Sequence, residues 1–261
     1  MYQLFEPSQS LRHVVKYYWL LDLNGAKGSM KDHLFAYPYV NWVFTIGNPY
    51  VIKNKLLGST IVKDTRIIGP RTTISEYVHP AGSLTFGITF HTGSTVSLFN
   101  KSTNLITDKI ITYDQLLPGM HWLNSLFMKT SIENFLAELN LQLDALINTN
   151  EIKGYILYKQ FSALLEDGTH YNTSTKNLAS KINISQRQLQ RITLKYVGLS
   201  PKQVQSMIRC KLALCSIQQS GQSSDLYQYG YYDQNHFIKD VKKWTGKTPG
   251  QVLKVVSNIS L

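Results

Sequence analysis

Ser185-Gln186-Arg187-Gln188-Leu189-Gln190-Arg191-Ile192-Thr193-Leu194-Lys195-Tyr196 is the stretch that decides the architecture of the C-terminal part of this chain. Ser185 is an N-cap residue and Gln188 follows three positions later, a capping-box pattern, so a helix starts here. Leu189 and Ile192 fall on one side of that helix, and Gln186, Arg187, Gln190 and Arg191 fall on the other. Upstream, Leu178-Ala179 belongs to a short helix beginning near Ser174 or Thr175. Asn183 sits in the turn between the two, and asparagine tolerates the left-handed backbone that such a turn requires. The unit reads as helix, tight turn, helix. An ordinary solvated helix tends to mix Glu with Lys, whereas this one has no acid. Arginine offers a two-donor fork to guanine and glutamine a donor–acceptor pair to adenine, so the outward face fits a phosphate-lined groove.

A second unit follows. Asp225-Leu226 lies on a short helix, Tyr229-Gly230-Tyr231-Tyr232 makes the turn, and Asp233 caps a helix over 234–244. Phe237, Val241 and Trp244 form its inward face. Gln234, Asn235, His236 and Lys239 remain outward near its start, with Lys243 further along. Ser200-Pro201 and Thr248-Pro249 each set an N-cap and a first-turn proline for the helix that follows. Between the units, residues 202–219 carry Val204, Ile208, Leu212 and Cys215 as an apolar stripe. A rod of that length spans roughly 27 Å. With the width of the flanking helices, the two outward faces fall around 34 Å apart, one turn of DNA.

These motifs resemble a known family. Ser185 to Arg191 with Tyr196-Val197-Gly198-Leu199-Ser200-Pro201 is similar to the first motif of the AraC family of bacterial regulators. Gly230 to Asp240 with Thr245-Gly246-Lys247-Thr248-Pro249 is similar to that family's C-terminal signature. The resemblance covers about residues 174–254 and implies two helix-turn-helix subdomains on a long helix, binding tandem major grooves of double-stranded DNA. It implies base readers at Arg187, Gln190 and Arg191, then at Gln234, Asn235, His236 and Lys239; Gln186, Lys195 and Lys243 join them as DNA contacts. Two positions depart from the pattern. Thr193 stands where the family usually has Phe, and the helix before Gly230 is one residue short. The resemblance also implies RNA polymerase as a partner.

Charge distribution agrees. Residues 1–150 hold 12 Lys+Arg against 10 Asp+Glu, while residues 151–261 hold 15 against 6. A basic part joined to a nearly neutral one suggests that only one of them meets a polyanion. Cys210 and Cys215 lie on different faces of one helix, which argues against a disulfide or metal clip. No run of about 18 apolar residues is present to span a membrane, and Met1 to Pro7 lacks the pattern of a secretion signal. The expectation is a bacterial cytoplasmic protein.

The first part alternates like sheet: Val14–Leu23, Tyr39–Ile46, Arg66–Ile68 and Leu84–Phe90 are rich in β-branched and aromatic residues and end at turn residues. From Ser131 the period becomes helical, with Ile132, Phe135, Leu136, Leu139, Leu143, Leu146 and Ile147 on one face; a second helix carries Ile152, Ile156, Leu164 and Leu165. The predicted fold class is two-domain α+β, with a small β-barrel or sandwich plus a helical pair, then an all-α double helix-turn-helix domain. The expected boundaries are a sensor or dimerisation domain over 1–165, a linker over 166–175 and a DNA-binding domain over 176–261. The helical pair fits a homodimer contact and equally a cover over its own β domain. Tyr17-Tyr18-Trp19, the run 66–73 and Gly87 to Gly93 also resemble an uncharacterised domain found ahead of such DNA-binding halves.

No chemistry-bearing signature stands out in residues 1–150. His13, His33, His79, His91 and His121 are isolated, with no pair at metal-ligand spacing, and no phosphate loop or nucleophile motif occurs. Neither metal, cofactor nor catalytic residue is expected. Trp19, Tyr37, Tyr39, Trp42, Arg71, His79 and His91 are aromatic and polar groups on candidate strands. They are candidate contacts for a small-molecule effector or, alternatively, core filling. The competing reading is a DNA-targeted repair enzyme with a catalytic N-terminal domain.

Overall fold

A computed structural model describes residues 1–116, 122–147, 152–167, 170–220 and 226–255. His121, Gly168 and Thr169 of the expected linker, and Ser224-Asp225 ahead of the second turn, lie outside the described residues. Two antiparallel sheets and a set of helices make up a two-domain α+β architecture.

The larger sheet contains β1 (Tyr2–Phe5), β2 (Val15–Asp22), β4 (Val40–Thr45), β7 (Arg66–Ile68), β9 (Leu84–Phe90) and β10 (Ile110–Thr112), in the order β1-β2-β9-β4-β7-β10. The smaller contains β3 (Met30–Leu34), β5 (Tyr50–Asn54), β6 (Gly58–Val62) and β8 (Ser75–His79), in the order β3-β8-β5-β6. Their facing sides make a sandwich, closed by Val43 and Ile68 from one sheet and Tyr50, Ile52, Val62 and Tyr77 from the other. Trp19 of β2 faces this layer too and lies over Gly87, its register partner on β9. A Cβ at Gly87 would overlap the indole, so only glycine fits there.

The opposite side of the larger sheet is covered by helices. Trp42, Phe44, Phe86, Ile88 and Phe90 point into it and meet α1 (Ser94–Phe99), α2 (Trp122–Lys129) and α3 (Ile132–Leu146). Phe135, Leu139 and Leu143 of α3 are fully buried in that layer. Ser131 caps α3, accepting from the Asn134 N–H, as its sequence indicated.

The second helix of the expected pair behaves differently. α4 (Ile152–Glu166) buries Tyr158, Phe161 and Leu165 in the core of the C-terminal helices, not among the strands. Ile156, expected inward, is 49% exposed. The aromatic face at 158 and 161 outweighs the aliphatic one because it meets Tyr196 and the helices beyond.

The C-terminal helices are α5 (Thr175–Lys181), α6 (Gln186–Val197), α7 (Pro201–Ser220), α8 (Gln234–Thr245) and α9 (Pro249–Val255). Both Ser/Thr-Pro starts form capping boxes. Ser200 pairs with Gln203 ahead of α7, and Thr248 pairs with Gln251 ahead of α9. The buried stripe of α7 is Val204, Met207, Cys210 and Leu214; Ile208, Leu212 and Cys215 are only half-buried. The expected stripe was displaced around the helix because α7 is enclosed by α4, α6 and α8 together. Burial pushes the Cys210 thiol up to about 12, so it packs as a small apolar group.

Candidate nucleic-acid interface

The first unit forms from local chemistry. Ser174 caps α5, accepting from the Asn177 N–H. Asn183 turns the chain with φ of 56°. Ser185 and Gln188 make both bonds of the capping box at the start of α6. Leu189, Ile192, Tyr196 and Val197 are buried, and Arg187, Gln190 and Arg191 are exposed. Gln186 is exposed too, with its amide donating to Thr175 Oγ1 at 3.0 Å, which holds it beside α5. Lys195 is half-buried, its Nζ 5.8 Å from the Tyr196 ring centroid. Thr193 is buried, with its hydroxyl donating to the Gln190 carbonyl. A small residue there lets α6 lie close to its neighbours without an unpaired polar atom.

In the second unit the short helix ahead of the turn is a 3-10 segment over Leu226–Tyr229. Gly230 turns the chain with φ of 77°, and Asp233 caps α8 by accepting from the His236 N–H. Phe237, Val241 and Trp244 are buried; Gln234, Asn235, Lys239, Lys242 and Lys243 are exposed. His236 is half-buried, edge-on to the Tyr231 ring at 5.1 Å and 3.5 Å from the Arg209 guanidinium.

Neither recognition helix has an acid in its first turn. The one acid on α8 past its cap, Asp240, is turned inward and pairs with Arg209 of α7. Ser206 donates to the same carboxylate, Trp244 Nε1 donates to Ser206, and Arg209 lies 4.5 Å from the Tyr231 ring centroid. This network fastens α8 to α7. Sequence patterning passed over it, because Ser206 and Arg209 look like ordinary polar residues on a helix.

A second feature escaped sequence reading. The β-rich domain grips both recognition helices at their C-terminal ends. Thr103 Oγ1 donates to the Tyr196 carbonyl and Thr107 Oγ1 to the Gly198 carbonyl, both at 3.1 Å. The Ala36 N–H donates to the Trp244 carbonyl at 2.9 Å, and Ile74 lies against Gly246. Gly198 has φ of 80° and a Cβ there would strike Thr107, so glycine serves both the helix end and the joint. The N-terminal halves of α6 and α8, with their Gln, Arg, Asn and Lys side chains, point away from these anchors into solvent.

Residues 178–254 match the family model described as a helix-turn-helix domain. The C-terminal third is an AraC-type helix-turn-helix domain. Residues 3–112 match a second model, a domain of unknown function (DUF6597). The helix-turn-helix match supports a DNA-binding transcription regulator. Among solved structures, the chain resembles ToxT from Vibrio cholerae O395, with 11% identity over 88% of this chain and 97% of that one and a TM-score of 0.47. It also resembles unsaturated fatty acid-bound ToxT from Vibrio cholerae strain SCE256, with 10% identity, 89% and 97% coverage and a TM-score of 0.45. The AraC-like transcriptional activator CuxR gives 9% identity, 77% and 76% coverage and a TM-score of 0.31. No curated protein matches the sequence. Among the described residues, no helix is long and apolar enough to cross a membrane, and no group of three or more His, Cys, Asp or Glu is placed to hold a metal ion.

The candidate effector residues do not form one site. Trp42 is fully buried in the helix-covered layer beside Phe44, on the other side of the sheet from the sandwich interior. Strand alternation puts Asn41 and Val43 inward where Trp42 points out. His91 lies past the end of β9, where burial, then Lys159 and Lys16, lower its pKa. Tyr39 receives the Lys16 ammonium as a hydrogen bond at 3.1 Å. Trp19, Tyr37, Arg71 and His79 belong to the sandwich. There, His79 stacks on Tyr50 with ring centroids 4.4 Å apart.

Burial lowers the His79 pKa to about 4, below its usual 6.5. Between those values the unfolded chain binds the proton and the folded one does not, so stability falls as pH drops from about 6.5 towards 4. The loss reaches about 3 kcal/mol at the bottom of that window. Urea midpoints measured from pH 7 to pH 4.5 should therefore fall, and His79→Gln should flatten the fall. An unchanged slope in the variant would assign the acid sensitivity elsewhere.

Proposed function

We propose that this chain regulates transcription by laying α6 and α8 into two successive major grooves of double-stranded DNA, with the β-rich domain carrying the control site. The observation that supports this most is the shared pose of the two helices. Each is fastened at its C-terminal end and offers an acid-free, amide- and cation-bearing N-terminal half to solvent. The N-terminal residues of a recognition helix are the ones that reach base edges. α7, with 20 residues, supplies a rod of about 30 Å between them.

The base readers in this reading are Arg187, Gln190 and Arg191 on α6, held in register by Gln186, and Gln234, Asn235 and Lys239 on α8. Lys195 and Lys243 serve the phosphates. His236 acts mainly through Tyr231 and Arg209, which orient the start of α8.

The test separates reading from gripping. Arg191→Ala should lose discrimination at one base position by about 1–3 kcal/mol, while Lys195→Ala should weaken all sequences alike and lower the salt slope by about one. Fluorescence anisotropy on DNA selected from a random pool, across a salt series, measures both. Identical behaviour of the two variants would refute the assignment of the α6 face.

A further inference from the structure

The loop between β7 and β8 carries Arg71 across from one sheet to the other. Its side chain is fully buried, with no exposed surface. Among the described residues it has no carboxylate partner. Nη1 donates to the Lys109 carbonyl at a long 3.4 Å, and Nε and Nη2 have no hydrogen-bond partner. Arginine does not escape burial by shedding its proton as lysine can, so an unpaired buried guanidinium is costly. The two orphaned donors matter by their position. Nε–H and Nη2–H lie on one edge of the guanidinium and point the same way, which is the edge that takes both oxygens of a carboxylate.

The side chains beside it are largely aromatic. Arg71 is near enough to the hydroxyls of Tyr37 and Tyr50 to oppose the rise that burial and Tyr77 impose on them. Tyr50, Tyr77 and His79 present near-parallel rings, with interplanar angles of 12–23°. His79 Nδ1 is also buried without a hydrogen-bond partner, and the Tyr77 hydroxyl lies beside that of Tyr37.

We propose that Arg71 is the anchor of an effector site inside the sandwich that takes a small monocarboxylate with a flat apolar body. One positive charge without a second cation beside it suits a monoanion better than a phosphate dianion, and the ring stack suits a planar body. The proposal rests on the reading of the β-rich domain as the control domain. It also supplies a route to the DNA-binding helices. The segment that contacts Arg71 through the Lys109 carbonyl, and Thr72 through Asp108, is the one whose Thr103 and Thr107 hold the end of α6. The Arg71 N–H donates to the Tyr37 carbonyl, and the neighbouring Ala36 holds the end of α8. A ligand that enters by parting the loops at 35–39 and 69–74 therefore moves both anchors.

Thermal unfolding of the full chain with benzoate, 4-hydroxybenzoate and phenylacetate tests the site, with benzamide and inorganic phosphate as controls. At least one carboxylate should raise the melting temperature while neither control does. Arg71→Met should abolish that rise and also raise the melting temperature of the ligand-free protein, since it removes an unpaired buried charge. Arg71→Lys, which keeps the charge and loses the paired donors, should weaken binding at least tenfold and stands in if the Met variant does not fold. No response to any of the three acids, an equal response to benzamide or phosphate, or an unaltered response in the Arg71 variants overturns the site. DNA affinity is measured alongside, and the active carboxylate should change it at least threefold in the wild type only. Failure of the ligand-free wild type to bind selected DNA would instead overturn the function proposed above, while carboxylate binding at Arg71 could still stand.

Discussion

Replacing Asp240 with alanine is expected to destabilise the C-terminal domain by about 3 kcal/mol and to cost the protein its second DNA contact. The Arg209–Asp240 pair is mostly enclosed, with side-chain exposures of 12% and 14%. Removing the carboxylate leaves the Arg209 guanidinium enclosed beside Cys210 and Tyr231, with Nε already lacking a partner. The pair also sets geometry. It ties the middle of α8 to the middle of α7, so its loss removes the ionic restraint on rotation of the second recognition helix about its buried face of Phe237, Val241 and Trp244. Chemical denaturation gives the stability, and footprinting of the variant on selected DNA gives the contact. Adding Arg209→Met to Asp240→Ala should recover much of the stability, because the uncompensated charge is then gone. Recovery of stability without recovery of the second contact would assign the pair to positioning, and a near-neutral single variant would contradict the network.

Phe161→Ala carries a larger expected effect, about 3–5 kcal/mol, and its place in the chain gives it meaning. Phe161 precedes the AraC-type domain in sequence but is fully buried in the core that α5, α6 and α7 share. Tyr158 stacks on Tyr196 from the same helix, with centroids 5.9 Å apart and an interplanar angle of 12°. α4 thus completes the core beneath the first recognition helix. Hydrogen exchange of the variant should lose protection in α5 and α6 while β2, β4 and β9 keep theirs. Loss confined to the strands would place α4 with the β domain instead.

The C-terminal domain was legible in sequence because its decisive interactions are local. A serine three residues before a glutamine, an aspartate before a polar helix start, an asparagine in a left-handed turn and a Ser-Pro pair each carry their structural consequence within a few positions. The β domain gave less. Strands β4 and β9 are buried on both sides, so Val40–Thr45 has no apolar–polar alternation to say that Trp42 and Val43 face opposite layers. Met30–Leu34 and Gly58–Val62 are both largely exposed, and neither stands out as a strand. Arg71 was visible as a residue type, but the environment of its guanidinium is set by Tyr37, Tyr50 and Lys109, which meet only in the folded chain. The joint that holds α6 and α8 has no local signature for the same reason: Thr103, Thr107 and Ala36 find their partners at separations of 91 to 208 positions.

In the proposed mode, one chain grips two neighbouring grooves through a fixed pair of helices. Hydroxyl-radical footprinting on a selected operator, with one chain bound per DNA, addresses it directly. Two protected patches on one face of the duplex, centred about 10–10.5 base pairs apart, are expected, and inserting about half a turn between them should abolish the second. A single protected patch, or a pair whose protection survives the half-turn insertion, would rule out simultaneous docking of α6 and α8.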